Sequence, residues 1–72
     1  MTLRKRSLLL AGHATSVALE PEFWSALEAL ARNRGVSLPG LIAELDGGRG
    51  QRPLASACRV AALAWAQGSE KA

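Results

Sequence analysis

The side chains able to do acid–base, nucleophilic or metal chemistry are few and far apart in this 72-residue chain. There is one histidine, His13, and one cysteine, Cys58. The carboxylates are scattered at Glu20, Glu22, Glu28, Glu44, Asp46 and Glu70. Catalysis needs titratable groups that converge in a cleft, and no metal or phosphate-loop spacing is present. The expectation is therefore a protein that is not an enzyme and carries neither cofactor nor metal. Cys58 lies in the apolar run "LASACRVAALAW", which favours a small buried thiol over a reactive one, and a single cysteine cannot form an internal disulfide. What remains chemically distinctive is positive charge. Nine Lys and Arg against six Asp and Glu give a net charge of +3. Arg4, Lys5 and Arg6 form one run, and Arg49, Arg52 and Arg59 gather later. That balance suits an anionic partner.

The elements that must carry these charges are constrained by size. A chain this short buries only about 60% of its unfolded surface, and domains below roughly 70–80 residues usually need a disulfide, a metal or a partner subunit. With the first two excluded, oligomerisation is the expected route to a sufficient core. No apolar stretch reaches the roughly 18 residues of a membrane span. The start "MTLRKRSLLLAGHA" imitates a signal peptide, but its apolar part is only Leu8 to Ala11, shorter than the roughly 7–15 residues required. The reading is a cytoplasmic protein with no membrane partner.

Along the chain, residues 1–12 read as a basic arm ending in the short apolar segment "SLLLAG". That segment could extend a ribbon, pair separately or cover a later helix. "HATSVAL", residues 13–19, alternates like a strand. Thr15, Val17 and Leu19 share one face, and Ala14, Ser16 and Ala18 share the other. "EPEFWSALEALARNRG" predicts a helix with Pro21 in its first turn, Glu22 at its positive end, and Arg32 and Arg34 at its negative end. Gly35 stops it. Phe23, Trp24, Leu27, Leu30 and Ala31 make its apolar stripe. A second helix follows with Ser37 as N-cap, Pro39 inside, and Leu38, Leu41, Ile42 and Leu45 buried. These elements form a core of residues 13–46. The Gly- and Arg-rich connector 47–52 is expected to be flexible. A third helix spans 53–67, with Leu54, Cys58, Ala61 and Trp65 on one face, Val60 and Leu63 widening it, and 68–72 as a tail.

A lone strand leaves a row of backbone N–H and C=O groups unpaired. Its simplest partner is the same strand of a second chain. The expected fold is mainly α with one short strand per chain, an intersubunit two-stranded antiparallel ribbon, and helices closing over its apolar face. Val17, Leu19, Phe23, Trp24, Leu27, Leu30, Leu41, Ile42, Leu45 and Trp65 would form the dimer core.

At residues 15–45, "TSVALEPEFWSALEALARNRGVSLPGLIAEL", the chain resembles the ribbon-helix-helix family of DNA-binding proteins. "KRSLLLAGHATSVALEPEFW", with "LIAELD" and "ASACRVAALAW", is similar to a bacterial subfamily of small proteins with a helix added after the core motif. The resemblance spans residues 5–66. It implies a homodimeric transcriptional regulator that inserts its ribbon into the major groove of double-stranded DNA. The base readers would be Ala14, Ser16 and Ala18. The start of the second helix at Ser37 and Leu38 would hold a phosphate, and Arg4, Lys5 and Arg6 would contact the backbone. The sequence departs from the family where readers usually carry hydrogen-bonding side chains, because two of the three here are alanine. Pro39 also removes one N–H from the phosphate clamp.

The nearly bare Ala-Ser-Ala face and the alanine-rich third helix support a second reading. It is a protein-interaction or assembly module, or an antitoxin-like one, that reuses the same dimer or builds a higher oligomer around a protein partner. His13 is read as completing a turn after Gly12 in preference to touching DNA. Trp24 and Trp65 are read as core or subunit interface in preference to a base-stacking platform. Arg59, inside an apolar helix, is expected to pair with Glu44 or Asp46.

Overall fold

In the computed structural model, which describes residues 2–70, the elements are β1 (Arg4–Leu10), β2 (His13–Leu19), α1 (Pro21–Arg34), α2 (Leu38–Gly48) and α3 (Leu54–Glu70). The described residues therefore form two strands, not the single strand expected. "RKRSLLL" is β1, not an arm, and it runs antiparallel to β2 from Arg4↔Leu19 to Leu10↔His13. The partner that a lone strand would have sought in a second molecule is supplied by the same chain. The turn makes this possible. Ala11 and Gly12 both lie at positive φ, +50° and +82°, the combination that a two-residue type I′ hairpin requires. His13 is the first residue of β2, directly after that turn. The run Leu8-Leu9-Leu10 hid the alternation of β1, since one leucine of the three faces outward.

Both strands put their apolar sides on one core. Leu8, Leu10, Val17 and Leu19 are buried with Trp24, Leu27, Ala31, Leu41, Ile42, Cys58 and Ala62. Phe23, Leu30, Leu38 and Leu45 are half-buried against that cluster. Nearly all residues expected at a dimer core thus pack together within one chain, because β1 adds Leu8 and Leu10 to the apolar layer. Trp65 is half-buried and lies outside the cluster. α2 packs on β1, α3 packs on β2, and α1 lies against α3 and α2.

The helix signals hold. Pro21 opens α1, and Gly35 closes it at φ +71°, its N–H directed to Arg32 O at 3.1 Å while Val36 N–H reaches Ala31 O at 3.0 Å. Left-handed backbone at the helix end is where glycine is favoured. Ser37 Oγ caps α2 by accepting the Gly40 N–H at 3.0 Å. Three expectations fail, the first being the tail 68–72, because α3 continues through Glu70. α2 extends through Gly48, and the connector after it is tied down by Arg49, which donates to Asp46 Oδ1 and to Arg52 O. On α3, Val60 and Leu63 do not widen the buried face. They are 46% and 54% exposed, because the stripe through Cys58 and Ala62 already fills the space above the hairpin.

Candidate nucleic-acid interface

A strand's side chains alternate between its two faces, so the basic run "RKR" cannot act as one patch. Arg6 shares the inner side of the hairpin with Leu8 and Leu10. Its guanidinium sits 4.7 Å from the centre of the Trp24 ring and donates to Glu28 Oε2 at 3.1 Å. Trp24 Nε1–H donates to the Arg4 carbonyl at 2.8 Å, fixing the start of β1 on α1. Arg4 is exposed beside Arg6, Trp24 and Glu28 on a cleft of about 290 Å³. Arg6 is thus committed to a structural ion pair, while Lys5 turns to the opposite side of the sheet.

That opposite side is open. The register brings Lys5 next to Ala18, Ser7 next to Ser16 and Leu9 next to Ala14. Ser7 Oγ and Ser16 Oγ stand 3.4 Å apart. Ala18 is half-buried and the other five are exposed, with Leu9 at 69%. The helices pack against the other face, where the buried residues of both strands lie. Ala14, Ser16 and Ala18 therefore do share an outward face. Sequence reasoning missed that Ser7 and Leu9 join them and that Lys5 belongs to the same surface. The signal available was slight: an apolar run on one side of Ala11-Gly12 and an alternating segment on the other.

The edge of β2 is also informative. In a two-residue hairpin the pair flanking the turn exchanges hydrogen bonds, and the bonded pairs then alternate along the ladder. This directs the backbone N–H and C=O of Ala14, Ser16 and Ala18 away from β1, toward the second edge of β2. The sheet among the described residues has two strands, so that edge carries no neighbour there.

At the head of α2 the anion-binding capacity is small. Ser37 Oγ takes the Gly40 N–H, Ser37 O takes the Leu41 N–H at 2.9 Å, and Pro39 has none. Only the Leu38 N–H remains of the first-turn donors. This helix start is separate from the outer face of the hairpin. Ser37 is exposed and Leu38 is half-buried.

The profile of a family described as "Ribbon-helix-helix domain" matches residues 3–66. The chain belongs to the ribbon-helix-helix family. Comparison with curated proteins and with solved structures gave no match. A ribbon-helix-helix domain is in general a DNA-binding or regulatory module and not an enzyme. Among the described residues no group of three or more His, Cys, Asp or Glu could hold a metal ion. No helix among them is long and apolar enough to cross a membrane.

Three further ion pairs tie the elements of the ribbon-helix-helix domain together or brace their ends. Arg59 forms the expected ion pair, but with Glu20 at 3.3 Å and not with Glu44 or Asp46. Those two are held by Arg34 and Arg49, each at 2.7 Å. Arg59 also lies 5.8 Å from the centre of the Phe23 ring. Glu20's own backbone amide holds its carboxyl below the ordinary value against an opposing cost of burial, and Arg59 adds to the lowering. Cys58 is fully buried, and burial pushes its thiol up despite the nearby Arg59. That favours the neutral thiol, not a nucleophile.

Proposed function

We propose that this ribbon-helix-helix protein is a bacterial transcriptional regulator that binds double-stranded DNA as a homodimer in the cytoplasm. The observation that carries the reading is the solvent-open outer face of the hairpin in a chain of this family. The Ala14, Ser16 and Ala18 side chains on it are small enough to bring the backbone close to base edges, and Lys5 lies at one end.

The dimer uses the second edge of β2. Antiparallel pairing of β2 with its twin about Ser16 sets Ala14 opposite the twin's Ala18, with no charge or proline on the edge to oppose it. The two central strands, roughly 4.8 Å apart, fit the roughly 12 Å major groove and bring Ala14, Ser16 and Ala18 to the bases. The outer strands β1 flank this pair, each about 7 Å from the two-fold axis, so Leu9 beside Ala14 borders the outermost bases while the longer Lys5 reaches toward the phosphates of the groove rims. Lys5 contacts phosphate there, and Arg4 adds charge from the same strand. Ser37 and Leu38 offer one further N–H to the backbone. Arg6 contributes by holding β1 in place.

Salt titration of duplex binding tests this. Lys5→Ala is expected to flatten the slope of log K against log salt by about 0.9 for every phosphate that Lys5 no longer neutralises, doubled in a dimer. Arg6→Ala is expected to lower stability more than the salt slope. Absence of duplex binding at low salt would overturn the reading. The second reading, an assembly or antitoxin-like partner-binding module, is favoured by exposed Val60 and Leu63 on α3, where Val60 borders a cleft of about 410 Å³ shared with α2. Assembly beyond a dimer in light scattering, without DNA binding, would support it.

A further inference from the structure

We infer that the outer face of the hairpin recognises DNA chiefly through the C5-methyl groups of pyrimidines, so that its preferred duplex is rich in thymine. This inference rests on the DNA-binding reading above and names its chemistry. The residues that share the face are Lys5, Ser7 and Leu9 of β1 with Ala14, Ser16 and Ala18 of β2. None is Arg, Gln, Asn, Asp or Glu, so the face lacks the planar side chains that bond guanine, adenine or cytosine in a fixed pattern. The serine hydroxyls donate or accept equally well, which makes them poor discriminators between base pairs.

What the face does offer is apolar contact. Leu9 is the most exposed large apolar side chain among the described residues, at 69%. It stands directly across from Ala14, and Ala18 lies on the same face further along β2. The base-edge group in the major groove that apolar side chains recognise is a pyrimidine methyl, carried by thymine and absent from unmodified cytosine. Leu9 has no role in the core, because Leu8 and Leu10 on either side are the buried residues of β1. A leucine kept out of the core beside a turn thus acquires a chemical task. Lys5, at the opposite end of the same face, adds charge and is the one side chain there that also bonds guanine.

The test compares duplexes that differ only in methyl groups. Binding of the full chain at low salt is measured to an A·T duplex, to the same duplex with deoxyuridine replacing thymidine, to a G·C duplex, and to that duplex with 5-methylcytosine. Removing the thymine methyls is expected to weaken binding by about three- to fourfold for each methyl that the face had covered, and adding cytosine methyls to strengthen it similarly. Leu9→Ser is expected to shrink both effects while circular dichroism and thermal stability stay unchanged, since Leu9 is exposed. Val60→Ser, on α3, is expected to leave both effects intact. Equal affinity for methylated and unmethylated duplexes would overturn the inference and leave DNA binding standing. No binding to any of the four would overturn both.

Discussion

Ala11 holds a left-handed φ of +50° that suits asparagine or glycine better than a residue with an unsupported Cβ. Left-handed backbone costs an ordinary L-residue roughly 1–2 kcal/mol, and asparagine offsets part of that by local hydrogen bonding. Ala11→Asn is therefore expected to stabilise the protein by about 1 kcal/mol. For a domain of this size that raises Tm by roughly 4–8 °C in a thermal melt. Glu20 gives the pH dependence. Its carboxyl is held below the ordinary value of 4.5 in the folded protein. Its contribution is present in full above that value and is lost as pH falls through the lower folded value. Glu20→Gln is expected to flatten the acid side of a stability-against-pH curve below about pH 5, with little change at neutral pH in that dependence. Cys58, neutral and buried, is expected to react with an aromatic disulfide reagent only as fast as the protein opens.

Among the elements, α2 depends on its cap. Ser37→Ala removes the acceptor of the Gly40 N–H and is expected to cost about 1 kcal/mol in denaturant unfolding. Ser37→Asn is expected to retain most of it, because asparagine also accepts from the first turn. The helices were legible because their signals are local: Pro21 and Gly35 bracket α1, and Ser37 precedes Pro39. The hairpin was not. Its turn is Ala-Gly, where Asn-Gly or Asp-Gly would announce a type I′ turn, and Leu8-Leu9-Leu10 reads as a continuous apolar run. Only pairing with β2 shows that Leu9 faces away from the other two. Val60 and Leu63 illustrate the same limit on α3, since an alanine-rich helix does not reveal which flank of its apolar stripe finds cover.

For the whole molecule, the hairpin changes what a dimer is for. A core containing Trp24, Leu27, Leu41 and Ile42 closes within one chain, so dimerisation through β2 would extend a sheet that already exists. Ser16→Pro separates the two functions of β2. The Ser16 N–H points away from β1 under the hairpin's alternation, so proline there spares the internal ladder while blocking a second strand. The expected outcome is a folded monomer by circular dichroism and light scattering, with DNA affinity reduced. A dimer that survives Ser16→Pro would place the subunit contact elsewhere.

Sequence alone was enough for the two capped helices, for the split of "HATSVAL" into a core face and an outer face, and for the burial of Cys58. Each of these follows from neighbours within a turn or two of chain, or from a simple period. Where β1 goes, and with it the fate of the basic run, was settled by tertiary packing. Alternation along β1 sends Arg6 inward to Trp24 and Glu28 and leaves Lys5 outside beside Ser7 and Leu9. Packing also chose which acid Arg59 meets, because Glu20 is distant in sequence and is brought near only where α1 lies against α3. Charge and hydrophobicity can be read from composition. Which face of a strand a charge occupies depends on register, and register is fixed only when the second strand is in place.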